Sequence, residues 1–281
     1  MVTRRFAQVD VFATTPYSGN PLAVVVDGDG LSGAEMQRFA NWTNLSETSF
    51  LLPPTTPDAD YRVRIFTPVE ELPFAGHPTL GSAHVWLAHN DDHDRDDHDR
   101  DTVVQECEVG LVTLRRSDEG LAFAAPPLRR SGPADDTTRK HVAAGLRIDP
   151  EAIEAIEWVD NGPGWVAVLL ADAKAVLAVS PGYVDSSVGL VGPHPAGSEH
   201  AFEVRGFFPK DGATVEDPVT GSLNASIAQW LLASGRATAP YLARQGTVLG
   251  RSGRVRIDQD GDGTIWVGGN TLTCVRGEVE I

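Results

Sequence analysis

The order of apolar and polar positions along the chain predicts two similar halves. Short runs rich in apolar and β-branched residues, bounded by turn residues, are typical of strands because such side chains fit a half-buried pleated surface. In the first half these runs are residues 8–12, 22–26, 48–52 and 61–66. In the second half, residues 165–170 and 202–208 take the corresponding places. Successive strands with few helices between them favour mainly antiparallel sheets.

Helix-start signals occur at corresponding places in the two halves. Ser32 and Glu35 form a capping box, in which each side chain satisfies a backbone donor of the other, so a helix is predicted from there to about Asn44. Pro78, with its fixed φ, suits the first turn of a second helix running toward residue 89. The second half predicts a short helix around residues 173–179 and a longer one that opens at Pro218.

Two motifs repeat about 140 positions apart. Residues 63–68 and 204–209 share the pattern Val-Arg-x-Phe-x-Pro, and each is followed by a Pro-x-x-Gly-Ser motif. The residue before that proline is His77 in the first copy and Asp217 in the second. Solenoid repeats are far shorter, roughly 20–50 residues, so this repeat indicates two lobes.

The predicted fold class is therefore α+β, with two pseudo-symmetric lobes. Each lobe is expected to be a mainly antiparallel β-sheet or barrel wrapped around a central α-helix. The predicted lobes are residues 1–126 and 127–281, and the last strand is a candidate to cross back to the first lobe.

Composition and charge indicate which binding partners and which cellular compartment to expect. The net charge of −16 excludes a nucleic-acid backbone or an anionic membrane as an expected partner. The most apolar run, residues 165–179, contains Asp172 and Lys174 and is too short to span a bilayer. No secretory signal is visible at the start, and two cysteines fit a reducing compartment, so we expect a cytoplasmic protein. The Asp/His tract at residues 89–101 is interpreted as a solvated loop, with incidental metal affinity as the alternative.

Two motifs imitate known binding loops. Residues 28–33 satisfy G-x-G-x-x-G, but the capping box explains the helix start, and the preceding strand pair suggests a hairpin instead of a βαβ unit, so a dinucleotide site is rejected. Residues 258–263 match the first half of an EF-hand loop. Position twelve is Gly269, where a closing glutamate belongs, and the flanks alternate like strands, which favours a hairpin turn over a calcium site.

Candidate chemistry lies at the two long helix starts and at one glutamate. The unpaired N–H groups of a helix start bind carboxylates or oxyanions, so two such starts facing one cleft could hold a small anionic molecule. The alternative is that His77 and Asp217 only cap their helices. Glu47 lies between a helix and a strand, flanked by Leu45 and Phe50. Partial burial there would suit general acid–base work, whereas a solvated glutamate is the ordinary alternative.

Several of these motifs together resemble the phenazine-biosynthesis isomerase (PhzF-like) family. They are residues 44–47 (Asn-Leu-Ser-Glu), 66–69 (Phe-Thr-Pro-Val), 71–78 (Glu-Leu-Pro-Phe-Ala-Gly-His-Pro) and 216–222 (Glu-Asp-Pro-Val-Thr-Gly-Ser). Matches in the same order extend from residues 8–12 to the Gly-Arg pair at 250–251. One departure is Ser252-Gly253, where family members often continue Pro-Ser.

The resemblance implies a diaminopimelate-epimerase-like fold and an isomerase that needs no cofactor and no metal. Glu47 would move the proton, with His77 and Asp217 orienting the amino and carboxylate groups of the substrate. Matching positions that would hold the substrate are Ser46, Gly76, Gly221 and Ser222. The type substrate is trans-2,3-dihydro-3-hydroxyanthranilate, and a homodimer is the family expectation.

Other functions stay open at this point. An amino-acid epimerase or racemase of the same fold is one alternative, and a small-molecule-binding protein without turnover is another. Thiol epimerases of this fold carry one cysteine per lobe beside these motifs. Ala75 and Glu216 occupy those places here, and Cys107 and Cys274 are 167 positions apart, which disfavours a two-thiol enzyme. A serine hydrolase is not supported, since the chain lacks a Gly-x-Ser-x-Gly motif.

Overall fold

A computed structural model describes residues 1–90 and 101–281, so most of the Asp/His tract lies outside the described residues. The chain divides into two compact units. The first unit comprises Met1–Ala124 and Gly268–Ile281, and the second comprises Ala125–Val267. Within the described ranges, no helix has the length and apolar character that crossing a bilayer requires.

The helices and strands follow one another in a mixed order. The strands are β1 (Thr3–Val11), β2 (Asn20–Val25), β3 (Thr48–Leu52), β4 (Tyr61–Phe66), β5 (Glu71–Leu72), β6 (Thr102–Cys107), β7 (Gly110–Ser117), β8 (Gly120–Ala124), β9 (Arg130–Pro133), β10 (Ala155–Asp160), β11 (Val166–Leu169), β12 (Val188–Pro193), β13 (Phe202–Lys210), β14 (Ala213–Asp217), β15 (Tyr241–Gln245), β16 (Gly253–Gln259), β17 (Ile265–Gly269) and β18 (Thr271–Glu280). The α-helices are α1 (Gly33–Thr43), α2 (Gly76–Asn90), α3 (Asp136–Leu146), α4 (Ala173–Ala178) and α5 (Gly221–Ala233).

The first unit is a sheet wrapped around α2. Strand β1 pairs antiparallel with β2 and β18, β2 runs parallel to β3, and β3 pairs antiparallel with β4. Strand β4 then pairs with β5 and runs parallel to β6, which continues antiparallel into β7 and β8. Helix α2 contacts strands on every side, from β1 and β2 to β8 and β18. Residues 76–83 are all buried, so the first two turns of α2 form the centre of this unit.

The second unit repeats the same order of strand directions. Strands β10, β11, β12 and β13 pair in the antiparallel, parallel, antiparallel sequence of β1 to β4. Strand β13 then pairs with β14 and runs parallel to β15, which pairs with β16, as β4 does with β5, β6 and β7. The helix α5 contacts β10 and β16 and is mostly buried. The predicted α+β class with pseudo-symmetric halves is therefore confirmed.

Helix α1 forms as predicted. Ser32 is the N-cap, both hydrogen bonds of the capping box are present, and Asn44 ends the helix in the left-handed region at φ 55°. Met36 and Ala40 are fully buried, and Phe39 packs partly buried against the same cluster.

The predicted start of the second long helix was wrong. Helix α5 begins at Gly221, and Asp217 and Pro218 lie before it, at and just beyond the end of β14. The N-cap Thr220 has extended backbone angles, so the helix begins at Gly221, three residues after the proline. Helix α2, in contrast, already begins at Gly76, two residues before its proline.

The two motifs that imitate binding loops, residues 28–33 and 258–263, both contain turns. Strands β1 and β2 pair antiparallel, but β2 and β3 run parallel with α1 between them, so the glycines at 28–33 do follow the opening strand of a βαβ unit. That part of the sequence prediction was wrong, whereas the capping box that explains the helix start is present. In the EF-hand-like segment, Asp260 accepts from Trp266 and Asp262 accepts from the backbone of Thr264. The backbone N–H of Asp260 also donates to the Thr264 carbonyl. These aspartates stabilise a turn between β16 and β17, as predicted.

The repeated arginine has a structural explanation that sequence reasoning missed. Arg64 lies 5.1 Å from the ring centre of Phe66 and makes two hydrogen bonds to Glu71 on the next strand. Arg205 lies 4.8 Å from the ring centre of Phe207 and pairs in the same bidentate way with Glu216. The repeat thus preserves a guanidinium between an aromatic ring and a carboxylate.

Candidate functional site

Glu47 lies in the short connection between α1 and β3 of the first unit. The left-handed Asn44 ends α1, and β3 begins at Thr48, directly after the glutamate. The Thr43 and Thr48 hydroxyl oxygens lie 3.1 Å apart, which ties the end of the helix to the start of the strand. The Glu47 side chain is only 17% exposed, so its carboxylate is largely removed from water.

His77 lies opposite this glutamate in the first turn of α2. Its Nε2 atom is 3.2 Å from Oε2 of Glu47, and its side chain is 6% exposed. The alignment falls short of a hydrogen bond, so the contact is a close approach of two buried polar atoms. On the other side of the ring, Nδ2 of Asn20 lies 3.4 Å from Nδ1.

A glycine allows α2 to bring His77 to this position. A side chain at Gly81 would put its Cβ 2.6 Å from Cδ2 of Leu22 and 3.0 Å from Cγ2 of Val11. These two residues lie on β2 and β1, so the helix packs on the sheet more closely than a larger residue permits. The glycine of the Pro-x-x-Gly-Ser motif is therefore explained by packing in this unit.

The electrostatics of the pair follow from burial. Desolvation lowers the pKa of His77 to about 3, so the ring is neutral at neutral pH. Because the Asn20 amide nitrogen can only donate to Nδ1, the ring hydrogen is assigned to Nε2, the atom that lies 3.2 Å from Oε2 of Glu47. The site therefore combines one carboxylate with a neutral donor, an arrangement suited to accepting and returning a proton.

Burial of His77 predicts a specific acid sensitivity of the fold. Its pKa is near 3 in the folded protein and about 6.5 in an unfolded chain, so below about pH 6.5 the unfolded state takes up the proton first. The contribution of neutral His77 to the unfolding free energy is therefore fully present above about pH 6.5 and is lost progressively as the pH falls toward 3. Relative to His77→Gln, the parent should lose about 1 kcal/mol more unfolding free energy between pH 7 and pH 5.5.

Urea unfolding at the two pH values measures this difference. Equal pH dependence in the parent and in His77→Gln would contradict the buried neutral imidazole.

In the second unit, the predicted residues lie around the start of α5. Asp217 is the last residue of β14, Gly221 is the first residue of α5, and Ser222 is the second. Nε1 of Trp165 donates to the Ser222 hydroxyl at 3.1 Å. The Thr220 hydroxyl donates to Oδ2 of Asp217 at 2.5 Å, so the aspartate side chain is directed by its own turn.

The predicted site residues thus form two groups. Glu47 and His77 approach each other in the first unit, with Gly76 buried beside the histidine and Ser46 exposed beside the glutamate. The second group, in the second unit, consists of Asp217, Gly221 and Ser222. Sequence reasoning missed Asn20, Trp165, Thr220 and Gln245 as contacts of site residues. Thr220 lies inside the motif at residues 216–222, but a single side-chain contact leaves no pattern that one sequence reveals.

In the part of the chain that the structure describes, the thiols and the acidic groups form no further cluster. Cys107 and Cys274 are free, and both lie in the first unit, on β6 and β18. Glu216, beside the second motif, is ion-paired to Arg205. Over residues 1–90 and 101–281, no group of three or more His, Cys, Asp or Glu side chains is arranged to hold a metal ion.

Known proteins resemble this chain over nearly its whole length. Residues 9–277 match the PhzC-PhzF family, described as "Phenazine biosynthesis-like protein". The chain is 34% identical to trans-2,3-dihydro-3-hydroxyanthranilate isomerase of Pseudomonas aeruginosa, covering 97% of this chain and 98% of that protein. It is 33% identical to "Antisense-enhancing sequence 1" of Schizosaccharomyces pombe, covering 99% of both chains.

Solved structures share the fold. A phenazine biosynthesis protein of the PhzF family from Bacillus anthracis superposes with a TM-score of 0.83 over the whole of both chains, at 22% identity. A hydroxyproline epimerase from Agrobacterium vitis gives a TM-score of 0.58 over 99% of this chain and 92% of that one, at 13% identity. At such identities these likenesses bear on the fold alone.

The class of protein follows from these observations: this is an α+β chain of epimerase-like fold whose relatives include isomerases. The chain belongs to the PhzC-PhzF family of phenazine biosynthesis-like proteins.

Proposed function

We propose that the protein is a cofactor-independent isomerase that moves a proton within a small carboxylate or amino-acid-like substrate. The carrying observation is the approach of Glu47 to a buried, neutral His77, at 3.2 Å between Oε2 and Nε2. A carboxylate that is largely withdrawn from water, with a neutral donor beside it, is suited to act as a general base and then as a general acid.

Glu47 accepts a proton from one substrate carbon and returns it to another, so the proton is conserved and no redox partner is required. Between these steps the carboxyl group carries the proton, and the uncharged Nε2–H of His77 can stabilise the negative charge that the substrate develops. The imidazole need not ionise for this role, in agreement with its low pKa.

The remaining predicted residues hold the substrate in this proposal. Ser46 and Gly76 flank Glu47 and His77 in the chain, and Gly221 and Ser222 open α5, where unpaired backbone N–H groups favour a carboxylate. Asp217, as an anion, suits an amino group of a substrate. A carboxylate and an amino group are the polar groups that a small amino-acid-like substrate offers, and these residues suit both.

The substrate proposed first is trans-2,3-dihydro-3-hydroxyanthranilate, because a 34% identical relative carries the name of its isomerase. The test is incubation of the protein with this compound and a panel of amino acids in deuterated water, followed by proton NMR. Loss of a C–H signal together with formation of the isomer supports the proposal.

Exchange at the α-carbon of an amino acid, with loss of optical activity, would instead favour an epimerase. Ligand binding without exchange in any compound would favour a non-catalytic binding protein, and would contradict the isomerase proposal for these compounds.

A further inference from the structure

The turn that carries Asp217 is held by a buried side chain from another strand. We infer that Gln245 and Thr220 form a hydrogen-bonded relay that sets the orientation of the Asp217 carboxylate, and that both act as positioning residues for the reaction. The inference rests on the proposed function, in which Asp217 contacts the substrate.

The amide of Gln245 can adopt only one orientation. Its side chain is fully buried at the end of β15. Oε1 accepts from the backbone N–H of Thr220 at 3.0 Å and from Nδ2 of Asn224 at 2.8 Å. Nε2 donates to the backbone carbonyl of Asp217 at 3.1 Å and to the Thr220 hydroxyl at 2.9 Å. Because a backbone N–H only donates and a carbonyl only accepts, a flipped amide would lose both backbone bonds.

This orientation also directs the hydroxyl of Thr220. Its Oγ1 atom accepts the N–H of Gln245, so its own hydrogen is turned toward Oδ2 of Asp217, 2.5 Å away. A hydroxyl bonded to an ionised carboxylate makes a short, charge-assisted hydrogen bond, which restricts the rotation of that carboxylate. The relay thus runs from Gln245 through Thr220 to the accepting carboxylate of Asp217, and each of the two donors has a single direction.

Two glycines pack closely against the turn that carries Asp217. A Cβ on Gly246 would lie 2.6 Å from the carbonyl oxygen of Pro218, and Gly246 itself has φ +92°. A Cβ on Gly253 would lie 2.2 Å from Cγ2 of Val219. The segment that follows β15 therefore fits against the backbone and side chain of residues 218–219, and larger residues would displace the turn.

The backbone of the turn is also fixed on the helix side. Nδ2 of Asn224 donates to the Thr220 carbonyl at 2.9 Å, and the backbone N–H of Asn224 donates to the same oxygen at 3.1 Å. The N-cap residue of α5 is therefore bound through its N–H, its carbonyl and its hydroxyl, all buried. Such a network is suited to holding a substrate-binding group within a fraction of an ångström.

The test replaces Thr220 by valine, which keeps the shape and removes the hydroxyl, and by serine, which keeps the hydroxyl. Kinetics are measured with a substrate that the parent protein converts. Thr220→Val should lower kcat roughly 10- to 100-fold and change KM about threefold or less, because a misplaced Asp217 carboxylate affects the chemical step. Thr220→Ser should stay within about threefold of the parent in both constants.

The matched control is Thr214→Val on β14. Like Thr220, Thr214 both donates and accepts through its hydroxyl. It donates to the carbonyl of Gly182 at 2.7 Å and accepts the N–H of Val184 at 2.8 Å, but it contacts neither Asp217 nor Gln245 through these bonds. It should keep the kcat of the parent. Parent-like kcat in Thr220→Val, or equal losses in Thr220→Val and Thr220→Ser, would overturn the relay.

Crystal structures of the Thr220 variants separate this inference from the proposed function. If the parent turns over no substrate, the proposed function fails, but the relay can still be examined directly. The serine hydroxyl should remain within hydrogen-bond distance of Asp217, and in Thr220→Val the carboxylate should rotate away. An unmoved Asp217 carboxylate in Thr220→Val would overturn the relay whatever the activity.

Discussion

Replacing Glu47 with glutamine is expected to lower proton transfer roughly 10³-fold while leaving substrate affinity within a few-fold of the parent value. Glutamine keeps the size of the side chain and its carbonyl oxygen, but it cannot accept and return a proton. The loss should therefore appear in kcat, because binding contacts are largely kept. The measurement is the rate of deuterium incorporation into the substrate, with affinity followed separately by calorimetry.

Glu70→Gln is the matched control for this change. Glu70 is exposed in the turn between β4 and β5 and its substitution should leave both constants unchanged. Retained exchange in Glu47→Gln would move the acid–base role to another group. Loss of ligand affinity together with exchange would indicate that Glu47 binds the substrate and leave its role in proton transfer undecided.

The sequence predicted the elements that local signals specify. The capping box at Ser32 and Glu35 satisfies its own backbone donors, so α1 forms with the predicted bounds in spite of the glycines before it. Strands β3 and β4 coincide with the predicted runs because each alternates or continues apolar residues between clear turn residues. Such signals act within a few residues and can be read from one chain.

The start of α5 could not be predicted in this way. Pro218 supports a helix start, but Gln245, 27 positions later in the chain, binds the N–H of Thr220 and the carbonyl of Asp217. These long-range bonds keep residues 217–220 out of the helix, and they cannot be predicted from the residues around Pro218 alone. The approach of His77 to Glu47 is similar, since it depends on how closely Gly81 lets α2 pack on the sheet.

The repeated arginine, used at first only to align the two halves, gives a comparison within one molecule. Both Arg–Glu pairs are bidentate, with distances of 2.6 and 2.7 Å for Arg64–Glu71 and 2.8 and 2.9 Å for Arg205–Glu216. They differ in burial. The side chains of the first pair are 24% and 33% exposed, and those of the second are 2% and 11% exposed.

Glu216→Gln is therefore expected to cost about 3–5 kcal/mol of unfolding free energy, whereas Glu71→Gln should cost about 1 kcal/mol or less. In the second unit the substitution leaves the Arg205 guanidinium buried, with only the carbonyls of Val176 and Val179 as described acceptors for its NH1 group. In the first unit water can solvate Arg64 when its partner loses charge. Urea unfolding of both variants beside the parent measures the difference.

A double variant isolates the buried charge as the cause. If the cost comes from an unpaired guanidinium, replacing Arg205 and Glu216 together by methionine should recover part of the loss seen in Glu216→Gln. Equal costs for Glu216→Gln and Glu71→Gln would contradict the role of burial. Glu216 also immediately precedes Asp217 on β14, where it lies opposite Phe207, so the buried pair holds the strand that presents the aspartate. The activity of Glu216→Gln should consequently fall by a larger factor than that of Glu71→Gln, even at temperatures where both variants are fully folded.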